Sequence, residues 1–248
     1  MVERAQLVRA RLAFGALAAL AGCSAPQGGW DLSVGRWGTV REALRDGHSE
    51  KRVVVGDVVG SPHALGVGAV AGLQGEITVL DGVVWVSRGD PSGSVQSVRG
   101  DGKGVDATLL ALARVDRWRS EPLAASSGRA ALEADLQRAL ERAGFDKLPI
   151  VPFVVRGDLT GLRGHILRGA CPNSPTQPPP GSLPPLELDL PRARGTLVGF
   201  WTTLPPGELA HHGEHAHIHV LFDDGTTAHV DEVGAGASAV LALPDLSR

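Results

Sequence analysis

The sequence predicts a strand-dominated mixed α/β fold of the α+β type, with one long amphipathic helix on its surface. Three features predict it. Glycine (33 residues) and proline (17) accompany 43% hydrophobic residues in a chain of 248, the mixture of a turn-rich globular protein. Short β-branched runs recur between turn signals. Only one stretch keeps helical periodicity for several turns. The length suffices for a real core. A net charge of −3, with no basic stripe and no aromatic-basic interleaving, gives no reason to expect nucleic acid as a partner.

From the N-terminus, Arg4, Arg9 and Arg11 precede an apolar run from Leu12 to Ala21. The run is too short to span a bilayer as a helix. A basic flank, a short apolar stretch and small residues form the pattern of an export signal. It ends in Leu20-Ala21-Gly22-Cys23, which looks like the lipobox of bacterial lipoproteins, in which the cysteine is acylated. Residues 1–22 are expected to be a lipoprotein signal peptide, 23–29 a tether and 30–248 the folded domain. Lipidation at Cys23 would hold that domain on the periplasmic or extracytoplasmic face of a membrane. The plainer alternative is a cleaved signal with an incidental cysteine. Cys171 is the one other cysteine, so no disulfide framework is expected.

Thr39 opens a short helix expected over Val40 to Asp46, and the valine-rich segment from Arg52 to Val59 reads as a strand or a strand plus turn. Glu76 to Leu80 and Val83 to Ser87 flank Asp81-Gly82, a strong hairpin signal. Ser127 to Gly144 is the long helix, capped by Ser127 and stopped by Gly144. Leu132, Leu136 and Leu140 form its apolar stripe, while Arg129, Glu133, Arg138, Glu141 and Arg142 stay polar. The stripe is narrow, which predicts a surface helix laid on a sheet and not one that carries ligands. Ile150 to Arg156 and Gly164 to Leu167 read as two strands. The proline-dense segment 172–185 reads as an exposed, semi-extended loop. Gly195 to Thr203, Ala216 to Phe222 and Thr226 to Val233 are all strand-like.

Of nine histidines, His211, His212, His215, His217, His219 and His229 crowd the region around the last two of these strands. Side chains alternate faces along a strand, so His215, His217 and His219 share one face. Several neutral imidazoles on one face each need a partner, and a metal ion supplies one to all of them. Asp223-Asp224-Gly225 fits a three-residue hairpin loop with glycine at its left-handed position. That loop pairs Phe222 with Thr226 and sets His219 opposite His229, where cross-strand β-carbons are about 4.5–5.5 Å apart. A two-residue loop would instead turn His229 to the other face. The expected ligands are His217, His219 and His229, to zinc or another divalent transition metal, with a coordination position left open. His211, His212 and His215 are secondary candidates. The bland alternative is a histidine-rich patch that binds metal without a defined site.

The order of these features resembles the acetolactate decarboxylase family. The resemblance runs through Gly38-Thr39-Val40, Val54-Val55-Gly56-Asp57, Leu65-Gly66-Val67-Gly68 and Gly72-Leu73-Gln74-Gly75-Glu76. It continues through Val79-Leu80-Asp81-Gly82, Gly195 to Phe200, His217-Ile218-His219 and His229-Val230. It spans the chain from about Trp37 to Pro244. It implies sheets like those of that family and a zinc ion held by His217, His219 and His229. The metal would chelate 2-acetolactate and take up negative charge as carbon dioxide leaves, with acetoin as product. Glu76 matches an active-site glutamate, a group placed to transfer the proton. On its own, Glu76 would read as a solvated residue at a strand end.

This chain departs from the family pattern. The family's substrate-binding arginine falls near His165, which is taken here as a catalytic candidate, with Arg163 and Arg168 flanking it. Gln74 stands where the family has aspartate, and the spacing from His219 to His229 is one residue shorter. The stretch after His229 is too short for the family's C-terminal glutamate. Three readings follow. One is a metal-dependent decarboxylase of 2-acetolactate or a related small hydroxy-keto acid, with that acid as its small-molecule partner and room for a homodimer. Another is a non-catalytic, lipid-anchored zinc-binding protein that kept the ligands and lost the chemistry. A hydrolase using zinc-bound water is a third.

Overall fold

The computed structural model describes residues 29–60, 62–171 and 177–246. The expected signal peptide, the tether up to residue 28 with Cys23, and residues 172–176 of the proline-dense loop lie outside them. Among the described residues, no helix is long and apolar enough to cross a membrane.

Two antiparallel sheets make the fold. The first is built from β1 (Gly35–Trp37), β2 (Val53–Val54), β3 (Ala64–Val70), β4 (Glu76–Leu80), β5 (Val83–Gly89), β6 (Val95–Gly100) and β7 (Asp106–Arg114). Its order is β1-β7-β3-β4-β5-β6, with β2 also on β7. β3 and β7 are buried almost end to end, which is why they read as continuous apolar runs and not as alternating ones. Leu65, Val67, Ala111 and Ala113 face the second sheet. Ile77, Val79, Val84, Val86 and Leu110 face the other way.

That outer face explains a correction. The valine-rich segment is a strand only at β2 and then turns into α2 (Val55–Val59). Val55 and Val59, one helical turn apart, share the face of α2 that covers the outer face of the sheet. α1 (Val40–Leu44) is capped as expected: Thr39 accepts from the Glu42 amide at 3.1 Å, and Glu42 reaches back to the Thr39 amide at 3.0 Å. At the β4–β5 turn, Asp81 (φ 51) and Gly82 (φ 75) both take the positive φ that a type I′ hairpin turn requires.

The second sheet holds β8 (Trp118–Pro122), β9 (Ile150–Ile166), β10 (Leu186–Thr202), β11 (Ala216–Leu221), β12 (Thr227–Ala235) and β13 (Val240–Pro244), in the order β10-β11-β12-β9-β13-β8. The two strands expected within 150–167 are one, and β10 begins well before Gly195. β9 and β10 pair with each other along their length, and β12 returns to pair with the second half of β9. The pairing β9–β10–β11–β12–β9 therefore closes into a ring, and β12 is held on both sides.

α3 (Arg129–Ala143) packs Leu132, Leu136, Ala139 and Leu140 into the core shared by the two sheets. Its N-cap is Gly128 (φ 82) and not Ser127. The Arg129 amide donates to the Glu232 carboxylate on β12, so an acceptor distant in sequence replaces the local cap. Arg129 and Glu133, expected on the polar face, are buried.

Candidate metal centre

The site lies between the sheets, where β11 and β12 of the second face β4 of the first. The loop after β11 is the three-residue one: the Phe222 amide donates to the Thr226 carbonyl at 2.9 Å, and the Gly225 amide to the Phe222 carbonyl at 3.0 Å. Gly225 has φ 88, a conformation costly for any residue with a β-carbon. The loop sets His219 directly opposite His229, and β9 sets His165 opposite His229 from the other side. Gly164 permits that second approach, since a β-carbon there would sit 2.2 Å from the His229 carbonyl oxygen.

His217, His219 and His229 are buried, with ring centroids 5.1–5.5 Å apart. Each offers one nitrogen to a common locus, all three within 4.8 Å of one another. His217 Nδ1, His219 Nε2 and His229 Nε2 have no hydrogen-bond partner. A buried polar atom without a partner costs about 1–3 kcal/mol, and three converging on one point suit a cation that accepts all their lone pairs. Zinc with nitrogens at about 2.0–2.1 Å holds them roughly 3.4 Å apart, so a small closure of the side chains completes the set. The residues fit a divalent transition metal.

The hydrogen bonds behind His219 fix its tautomer. Thr227 Oγ1 donates to the Val220 carbonyl at 3.0 Å, so Thr78 Oγ1, 2.5 Å away, donates to Thr227. Thr78 then accepts from His219 Nδ1 at 3.2 Å, which leaves the Nε2 lone pair free. Thr78 lies two residues beyond Glu76 on the same face of β4. His217 is hydrogen-bonded to the Leu209 carbonyl. Burial, followed by the charge of neighbouring histidines, holds His217 down to about 3 and puts His219 and His229 well below the usual imidazole range. The cluster is therefore neutral at pH 7, as ligands must be.

Glu76 is 1% exposed. Its Oε1 accepts from the Leu167 amide at 3.1 Å, and its Oε2 lies 3.6 Å from His219 Nε2, too far for a hydrogen bond. Burial raises its pKa to about 7, against the opposing charge of His165. The structure also brings His165 to the cluster, its ring 5.0 Å from that of His229. Its Nδ1 is 2.8 Å from Asp231 Oδ2. Burial lowers the His165 pKa, but the Asp231 hydrogen bond and the charges of Glu76, Asp231 and Glu187 outweigh it, and the net shift is upward. Arg163 and Arg168 are not at the cluster. Arg163 is exposed beside Glu232, and Arg168 holds the Pro184 and Asp90 carbonyls. His215 precedes β11, is exposed, and stacks on Trp201 at 5.4 Å.

Asp231, Thr78, Thr227 and Arg129 were not foreseen. For Asp231 the signal was available, because it shares the strand face of His229. Arg129 is buried and bonds the carbonyls of Ala216 and Val230, each adjacent to a cluster histidine, while pairing with Glu133 (3.0 Å) and Glu214 (2.9 Å). The helix that carries no ligand thus holds the strands that do.

A cavity of about 30 Å³ touches Glu76, His165, His211, His217 and His229. That is room for roughly one water-sized group. A wider cleft of about 550 Å³, lined by Arg41, Arg45, His211, His212 and Glu214, shares Val40, Leu44 and His211 with it. Burial lowers the His211 pKa to about 4.

Two antiparallel sheets enclose a buried three-imidazole set that could hold a metal ion, with a protonatable glutamate beside it. The alpha-acetolactate decarboxylase family model matches residues 38–243, and the chain belongs to that family. The fold matches the crystal structure of alpha-acetolactate decarboxylase from Bacillus subtilis strain 168 at TM-score 0.62 and 15% identity, over 86% of each chain. It matches that from Bacillus subtilis subspecies spizizenii at 0.59 and 16%, over 86% of each. A Staphylococcus aureus protein of unknown function similar to alpha-acetolactate decarboxylase matches at 0.59 and 15%, over 87% of this chain and 86% of its own. No curated protein matches.

Proposed function

We propose that this protein is a metal-dependent decarboxylase of 2-acetolactate or a related small hydroxy-keto acid, releasing carbon dioxide and, from acetolactate, acetoin. The observation that carries the proposal is the meeting of three partnerless imidazole nitrogens with Glu76 in one buried pocket. His217, His219 and His229 would hold the metal, zinc by ligand type, which supplies Lewis acidity towards the negative charge that develops as carbon dioxide leaves. Glu76 Oε1 is occupied by the Leu167 amide, so Oε2, on the cluster side, is the oxygen that carries the proton. Burial raises its pKa to about 7 in the metal-free fold, and a bound cation would draw it down. Glu76 is thus a group that can hold a proton here and release it to the carbon that has lost its carboxylate. His165, with Nδ1 held by Asp231, presents its other nitrogen to the substrate carboxylate in place of an arginine.

The test is acetoin formation from racemic 2-acetolactate by the zinc-loaded protein, above the spontaneous rate. His217→Ala should abolish it by losing the metal, and Glu76→Gln should abolish turnover with metal still bound. No acetoin from protein with one tightly bound metal per chain would sink the reading. It would leave the second one, a metal-binding protein without the reaction, which the placement of Arg163 and Arg168 away from the cluster favours.

The basic flank, the apolar run and Leu20-Ala21-Gly22-Cys23 support a further proposal, a lipid anchor at Cys23 on the extracytoplasmic face. Metabolic labelling with a radioactive fatty acid, lost in Cys23→Ala, tests it. A homodimer is a further proposal, tested by sedimentation equilibrium.

A further inference from the structure

Beyond the three cluster histidines, two more imidazoles stand at the same distance from His229. The ring centroids of His165 and His211 lie 5.0 and 5.3 Å from it, alongside 5.1–5.5 Å within the cluster. Their attachments differ. His165 is tied through Nδ1 to Asp231. Among the described residues none is hydrogen-bonded to the His211 side chain, although the chain on either side of it is fixed. Leu209 and Ala210 are buried, Gly207 bonds Ala210 and Arg41 through its backbone, and the Glu214 amide closes a turn onto the His211 carbonyl. His211 also lines both the inner cavity and the outer cleft, so it stands at the neck between them. A five-carbon acid cannot fit an inner space of about 30 Å³, and anything reaching the cluster from the cleft passes this ring.

We infer that His211 is a displaceable fourth ligand of the metal, closing the three-histidine site from the loop before β11 when the cleft is empty. Its nitrogens lie outside the group that falls within 4.8 Å, so it joins by rotating about its side-chain torsions, which no hydrogen bond holds. Three fixed imidazoles leave one position of a tetrahedral ion to fill, and His211 is the nearby nitrogen donor free to turn. A chelating hydroxy acid arriving from the cleft would take that position and push the ring aside. The inference rests on the metal reading of the cluster, not on the decarboxylase reading.

The experiment uses cobalt(II) as probe on the purified full-length protein, reading visible absorption and affinity by titration. The wild type should give an intense four-coordinate spectrum. His211→Ala should shift that spectrum towards higher coordination by solvent and weaken affinity on the order of 10- to 100-fold, at least the loss of an outer partner. Free imidazole should restore the spectrum, and His212→Ala, in the same loop, should change neither readout. Unfolding of metal-free His211→Ala checks that it folds. An unchanged spectrum and affinity in His211→Ala would overturn the inference while leaving the three-histidine site intact. Cobalt affinity in His217→Ala equal to that of the wild type would overturn both.

Discussion

A carboxyl group buried as completely as Glu76 makes its protonation a matter of stability. Its pKa in the metal-free fold is raised from 4.5 to about 7, chiefly by burial. Below pH 4.5 it is protonated in both the folded and unfolded states and costs nothing. Between 4.5 and 7 the unfolded chain ionises first, so stability falls as pH rises, and the loss is complete above the folded value. At about 1.4 kcal/mol per unit the full effect over that interval is about 3.5 kcal/mol. Glu76→Gln removes it, so the metal-free variant should gain that much on the wild type between pH 4.5 and 8. Urea unfolding at the two pH values reads this directly, and parallel curves would contradict it. Thr78 gives a second test at this scale. Thr78→Val cuts the chain from His219 Nδ1 through Thr78 to Thr227. Metal affinity should drop about 10- to 100-fold, as for loss of an outer partner, with the fold retained by circular dichroism.

Among the elements, the β11–β12 hairpin decides whether the site exists, because a slip of one residue would turn His229 to the other face. Gly225→Ala places a β-carbon at φ 88 and 2.8 Å from the Trp85 ring. The left-handed conformation alone costs about 1–2 kcal/mol. Gly93→Ala meets the same backbone penalty at φ 90 in the turn between β5 and β6, away from the cluster. Both variants should lose stability in denaturant unfolding, but only Gly225→Ala should also lose metal affinity. Equal affinities would show that the turn does not set the register. This hairpin was legible in the sequence because its determinants are local: three turn residues, a period of two, and histidines at matching offsets. The same holds for Asp81-Gly82 and for Thr39 as the residue that opens α1. β9 and β10 were not legible at full length. Gly157, Gly161 and Pro191 interrupt their patterns, and what holds them extended is pairing with each other and with β12.

At the scale of the whole molecule, the ring of β9 to β12 and the first sheet meet on a pocket that each half supplies in part. Glu76 and Thr78 come from one, the histidines from the other. The residues that escaped sequence reading are those whose roles depend on that meeting. Arg129 is a solvent-facing helix residue by periodicity, yet the closure of β12 onto β9 brings the Ala216 and Val230 carbonyls to it. Asp231 gains its role only because β9 places His165 beside His229. On the metal reading such an assembly would bind the ion in the folded state and not in the unfolded chain, so the ion should stabilise both sheets together. Free zinc at about 1,000 times its dissociation constant adds roughly 4 kcal/mol. For a domain of this size each kcal/mol moves the melting temperature by about 2–4 °C. Removal of metal by a chelator should therefore lower the melting temperature of the wild type by on the order of 10 °C in one cooperative transition. His217→Ala should already melt near the lower value and barely respond to the chelator. A chelator effect of equal size in that variant would mean that the stabilising ion sits elsewhere. A transition split in two on metal removal would mean that the sheets do not depend on each other through this site.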